Sequence, residues 1–222
     1  FMKKVAFIKT VILIIIFVNI FTVSLKLKLF ADLNNIEQKI EQIKKSIGEL
    51  PYDVSNEIIE QLISQCKEII AIDSKDIDAY ICLTICYYLK KDIDNGINVI
   101  EKVLTLDSKN PHGYFLRGFG YYGKVTMIEK NDEKKTNYLN RAILDLNKTV
   151  FLEPNYKGYK IQGKIVEVDG IIFHIGVCYK LKGDLVKAKE TFQMLIDKYP
   201  NSSYTSFAKK ELEDLKQIPT KK

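Results

Sequence analysis

The sequence predicts an all-α chain: a solenoid of stacked helix pairs that follows one N-terminal helix long enough to cross a membrane. Three observations predict it. Residues 10–25, TVILIIIFVNIFTVSL, carry no charge and have lysines on both sides. Leu33, Ile36, Ile40, Ile43, Ile47 and Leu50 recur at spacings of 3 and 4, which places them on one helical seam. From residue 55 onward, small, aromatic and proline residues return at fixed offsets, the mark of a repeat architecture.

The anchor comes first, over residues 1–30. As a helix the uncharged stretch spans about 24 Å, and about 31 Å if counted from Val5 past Lys9. Lys9 can extend its ammonium toward the headgroups. Residues 5–25 are therefore expected to cross a membrane once. A cleaved signal peptide also begins with a basic end and an apolar middle, but no A-x-A cleavage site follows. Lys3, Lys4 and Lys9 precede the apolar core, and Lys26 and Lys28 follow it. The small excess favours a cytoplasmic N-terminus and an extracytoplasmic body.

Residues 31–54 form a stalk. The seam from Leu33 to Leu50 suits either a short parallel coiled coil that makes the protein a homo-oligomer, or a helix that packs against the first repeat. Fewer than three heptads is short for an independent coiled coil. Pro51 ends the helix.

The repeat body is expected over residues 55–217, with a short tail at 218–222. Its clearest copy lies within 157–202. There Gly176, Tyr179, Gly183, Ala188, Phe192 and Pro200 stand at offsets 0, 3, 7, 12, 16 and 24. Gly176 and Ala188 let two helix backbones approach, while Tyr179 and Phe192 fill the space around them. In the copy at 77–110 the equivalent places fall to Thr84, Tyr87, Gly96, Ile100 and Ser108. In the copy at 111–156 they fall to Gly118, Tyr121, Ala142, Leu146 and Pro154. Here Gly118 and Pro154 are 36 apart instead of 24, so residues 123–137 should lengthen both helices or form a surface loop. Residues 55–76 read as the second helix of a degenerate copy.

A further surplus precedes Gly176. Ile161, Ile165, Val168, Ile172 and Ile175 keep helical spacing and predict an extended first helix. Gly158, Gly163 and Gly170 weaken it, and a small hairpin around Gly163 is the alternative. Tyr204, Phe207, Ala208, Leu212 and Leu215 give the buried stripe of a capping helix at 203–217, with Ser202 or Ser203 as its N-cap.

These offsets resemble the tetratricopeptide repeat (TPR), a helix–turn–helix unit of about 34 residues. The segment from Tyr199 to Tyr204, followed by Ala208 and Leu212, is also similar to the last repeats of bacterial envelope TPR proteins such as the Tol-Pal coordinators and the outer-membrane assembly lipoproteins. The resemblance implies a protein-binding scaffold whose first helices line a groove. Carried onto this chain, the groove positions are Ile81, Ile85 and Tyr88, then Phe115, Phe119 and Tyr122, then Phe173 and Val177. They are apolar or aromatic throughout, which suits an amphipathic helix or an extended peptide; the alternative is that residues 123–137, the stalk helix or ordinary inter-helix packing covers them. TPR domains that clamp a C-terminal carboxylate use Lys and Asn at such places, and this chain has neither there.

Composition and motifs exclude other classes. The net charge of +6 comes largely from the anchor: without its five lysines, 29 basic residues face 28 acidic ones. Only Arg117 and Arg141 are arginines, so the forks and basic stripes of nucleic-acid readers are missing. Cys66, Cys82, Cys86 and Cys178 form no CxxC pair and should be buried thiols. With only His112 and His174 beside them, no metal site is expected. No phosphate loop, nucleotide fingerprint or nucleophile elbow occurs. No catalytic residue, metal or cofactor is therefore expected.

Overall fold

The computed structural model describes residues 2–127 and 130–216, with the side chains of 2–20, 27, 29, 30, 32 and 33 outside that description. Its elements run α1 (Met2–Glu49), α2 (Asn56–Ile72), α3 (Ile77–Leu89), α4 (Ile93–Leu106), α5 (Pro111–Met127) and α6 (Asp132–Leu152). A two-stranded sheet follows, β1 (Lys157–Ile161) and β2 (Lys164–Glu167). Then come α7 (Val168–Lys182), α8 (Leu185–Lys198) and α9 (Tyr204–Lys216).

The chain divides into two compact units, one ending at Gln42 and the other beginning at Ile43. The first is the greater part of α1. Helix continues from the apolar stretch into the seam without a break. Most of the expected membrane span lies outside the described side chains. Among the described residues no helix is long and apolar enough to cross a membrane. Phe21, Val23 and Leu25, at its C-terminal end, are exposed.

The second unit is a run of antiparallel helix pairs, α3/α4, α5/α6 and α7/α8, with α2 before them and α9 after. Each helix packs on the next in the chain. Local chemistry sets the corners. Asp76, Asp92, Asn131 and Asp184 cap α3, α4, α6 and α8 by accepting the backbone N–H three residues on, the usual N-cap contact. Gly183 ends α7 with φ +84°, as a left-handed C-cap requires. The equivalent place after α3 is Lys91, at φ +65°.

The repeat positions behave as their spacing predicts. Ala142, Ala188, Ile100, Leu146 and Phe192 are wholly buried. A Cβ on Gly176 would lie 2.5 Å from the Phe192 ring, so that crossing needs glycine. The insertion in the middle copy lengthens both helices: α5 and α6 have 17 and 21 residues against 13 and 14 in α3 and α4. The capping helix forms, and the Tyr204 N–H donates to Ser202 Oγ at 3.0 Å. All four cysteines are free and buried.

Two expectations change. Residues 157–167 are not an extension of α7 but an antiparallel hairpin, with Ile161 opposite Lys164. Gln162 and Gly163 take φ +48° and +80° at its tip, as a tight two-residue hairpin turn demands. The self-association seam is also reassigned at one end. Ile43, Ile47 and Leu50 are buried in the second unit, so those side chains belong to an intramolecular core. Ile36 and Ile40 fall in the first unit, and Leu33 lies outside the described side chains.

Candidate functional site

The first helices of successive pairs, α3, α5 and α7, and then α9, share one face of the second unit. In stacked repeats this face is the inner one. It divides here into a covered half and an open half.

The hairpin and the end of α1 cover the α3 half. At the hairpin tip, the Gln162 and Gly163 N–H groups donate to the carbonyls of Ile47 and Gly48 at 3.1 and 2.8 Å. Gln162 Nε2 donates to the Pro51 carbonyl at 2.9 Å. The hairpin thus satisfies acceptors that the last turn of α1 would otherwise leave bare. Below it, the Tyr159 hydroxyl donates to Asp78, in the first turn of α3. Lys44 Nζ donates to the same carboxylate at 2.7 Å. Burial raises the Asp78 carboxyl, but the bonds from Lys44 and Tyr159 outweigh it and hold the group below its ordinary value. His112 on α5 bonds the Tyr156 hydroxyl through Nδ1 at 2.9 Å, and burial lowers its basicity.

This cover corrects part of the expected groove. Ile81, Ile85 and Phe115 are buried, and Phe115 meets the Tyr156 ring at a tilt of 43°, with centroids 5.2 Å apart. Tyr88 turns inward. Its hydroxyl donates to the Leu116 carbonyl at 2.9 Å, and a Cβ on Gly96 would lie 2.2 Å from its ring. What is left is an apolar cavity of about 270 Å³ between Ile85, Phe115 and Phe119 on the helices and Tyr159, Ile161 and Val166 on the hairpin.

The open half runs across α5, α7 and α9. Phe119, Tyr122, Phe173 and Val177, all expected on the groove, lie there, and His174 and Tyr204 join them. Phe119 and Phe207 are exposed, at 36% and 57%. Rings follow one another without a gap. Phe119 meets His174 at 5.7 Å, His174 meets Phe173 at 5.8 Å, Phe173 meets Tyr204 at 5.4 Å and Phe207 at 6.2 Å. His174 sits at the middle, with Nδ1 2.7 Å from the Gly170 carbonyl. Burial lowers its basicity, against that carbonyl, which favours the charged ring.

The sequence reading missed His174, Tyr204 and Phe207 as face residues. His174 is adjacent to an expected groove position, and the other two were assigned to the buried stripe of the cap. In fact Ala208 and Leu215 are buried there while Phe207 faces out.

Comparison with known proteins agrees with the fold. Residues 171–202 match the family model described as tetratricopeptide repeat. No curated protein matches the chain in sequence. Several solved structures resemble it. A thermophilic TPR protein of Thermus thermophilus, TTC0263, is 14% identical, covers 71% of this chain and 72% of its own, and has a TM-score of 0.52. MamA protein is 17% identical over 86% of this chain and 82% of that one, with a TM-score of 0.54. PilF of Pseudomonas aeruginosa is 16% identical over 81% and 67%, with a TM-score of 0.58. At these identities the likeness is one of fold: a mostly helical, TPR-like solenoid.

Proposed function

We propose that this TPR-type solenoid is a membrane-tethered scaffold that holds a partner protein along the open half of its first-helix face. The observation that carries the reading is the continuous aromatic strip from Phe119 through His174 and Phe173 to Tyr204 and Phe207. Phe119 and Phe207 are exposed at its ends and the rings between them are half-buried; apolar surface gathered in this way marks interaction sites, and aromatic anchors dominate binding energy where they become fully desolvated. The partner segment is extended or an amphipathic helix.

The tether is residues 5–25 of α1. Its support is the uncharged sequence, the flanking lysines and the exposed Phe21, Val23 and Leu25. The lysine bias supports an N-terminus in the cytoplasm with the repeats outside, the setting that the resemblance of residues 199–212 to envelope TPR proteins would imply. The role is binding and not catalysis: Asp78, Lys44 and Tyr159 are engaged in holding the hairpin, and His174 stands among aromatic rings, with no nucleophile or second acid beside it among the described residues.

Photo-crosslinking tests the reading in the full-length, membrane-embedded protein. A photoreactive residue at position 207 should trap a discrete protein adduct. The same residue at Phe151, exposed on a second helix, should not. Equal labelling from both positions would refute a dedicated face.

A further inference from the structure

Two of the four buried thiols face each other where α2 packs on α3. The helices are antiparallel neighbours, and two surface contacts fix their register. Glu60 pairs with Lys90, and the Lys67 ammonium lies 5.8 Å from the centre of the Tyr87 ring. Cys66 and Cys86 stand between these contacts, each one residue before a member of the second. Both are wholly buried, so both side chains point into the interface that the surface contacts flank.

The Cys66 thiol is hydrogen-bonded to Cys86, and that bond, with burial, holds it well above the ordinary thiol range. Cys82 lies one turn before Cys86 and is also buried, but burial is the main influence that raises its thiol. Cys178 is on α7, in a different part of the core with Ile93, Tyr121 and Leu139. Among the described residues no three His, Cys, Asp or Glu side chains are grouped as metal ligands. The chemistry open to Cys66 and Cys86 is therefore that of two adjoining thiols.

We propose that Cys66 and Cys86 are a redox pair that closes a disulfide between α2 and α3. A thiolate of the pair attacks a disulfide oxidant, a mixed disulfide forms, and the second sulfur displaces the half of the oxidant that is still attached. One S–S bond forms in the chain and the oxidant's own is broken. Two protons and two electrons pass to the oxidant, which leaves as two thiols. Because both sulfurs are buried, the exchange takes place during folding or as α2 opens from α3, and the finished bond is shielded from reductant. The extracytoplasmic setting proposed for the repeats is one in which such bonds persist. The bond fastens α2 to the helix whose Asp78 holds the hairpin.

The test holds the full chain in detergent micelles in a glutathione buffer rich in the disulfide form, starting once from the folded protein and once from the denatured one. Free thiols are counted after denaturing, and linked peptides are mapped by mass spectrometry. The expected result is the loss of two of the four thiols, a single Cys66–Cys86 link, and recovery of all four after dithiothreitol. The oxidised form should melt about 5–10 °C higher, as closing a loop of this length gives. Cys82→Ala, with its fold checked by circular dichroism, should oxidise like the wild type, and Cys66→Ala should keep all its remaining thiols. Four free thiols from both starting points would overturn the proposal, and so would a link from Cys66 to Cys82 or Cys178 instead. A mapped Cys66–Cys86 bond with no rise in melting temperature would overturn its role as a fastener.

Discussion

Tyr159 and Asp78 are joined by a hydrogen bond across 81 residues of chain. That contact fastens the hairpin over α3, and it explains why half of a face that repeats usually leave free is closed here. The carboxylate accepts from Lys44 as well, so one side chain ties together α3, the hairpin and the end of α1. Closing the α3 half leaves the aromatic strip on α5, α7 and α9 as the open part of that face.

Tyr159→Phe should loosen the hairpin without unfolding the body. One hydrogen bond to a partly exposed carboxylate is worth about 1 kcal/mol. Amide hydrogen exchange across residues 157–167 should accelerate, while α7 and α8 keep their protection. Unchanged exchange in the hairpin would show that Tyr159 does not fasten it.

Acid should weaken the protein in two stages. Burial depresses the basicity of His112 and His174, so the unfolded chain binds their protons more readily, and stability falls as pH drops below about 6.5. The Asp78 carboxyl is held low by Lys44 and Tyr159 against the opposing effect of burial. Its contribution is complete above about pH 4 and disappears as pH falls through its folded value. Thermal melts from pH 8 to 3 read both stages, and Asp78→Asn should remove the lower one.

Gly96→Ala should destabilise the fold even though alanine favours a helix by about 1 kcal/mol. The new methyl would lie 2.2 Å from the Tyr88 ring, and such overpacking costs about 1–3 kcal/mol. Tyr88→Leu in the same chain should restore part of the loss. A melt unchanged by Gly96→Ala would mean that Tyr88 yields freely.

Ile47→Ala should cost about 2–5 kcal/mol, as truncation of a buried isoleucine does, and leave the oligomeric state unchanged. Ile47 is 1% exposed, so its side chain acts within one chain. Analytical ultracentrifugation in detergent, alongside the melt, separates this from a seam between chains. A shift in mass with little loss of stability would restore the oligomer reading.

The helix pairs were legible in the sequence because each depends on local spacing. Gly176, Ala188 and Phe192 stand where two helices must cross, and the insertion after Gly118 could only lengthen helices or loop out. The hairpin was legible only as an alternative. Ile161, Ile165 and Val168 fit a helical period as well as a strand, and short apolar runs do not separate the two. Gln162-Gly163 was the turn signal. The cover over Ile81 and Phe115 was legible only as the option that the stalk helix packs on the first repeat; the hairpin's share was not, since it rests on long-range pairs such as Tyr159 with Asp78 and Gln162 with Ile47. Phe207 was misplaced because a one-residue turn of α9 decides whether it or Ala208 faces inward.

The most direct test of the scaffold role is partner recovery by the full-length protein from detergent-solubilised membranes of its source. Wild type is compared with a Phe119→Ala/Phe207→Ala double variant of equal helicity and melting temperature. The account predicts a discrete partner with the wild type and its loss, by about tenfold or more, when both anchors are truncated. Recovery of the same partner at the same level by the double variant would contradict it.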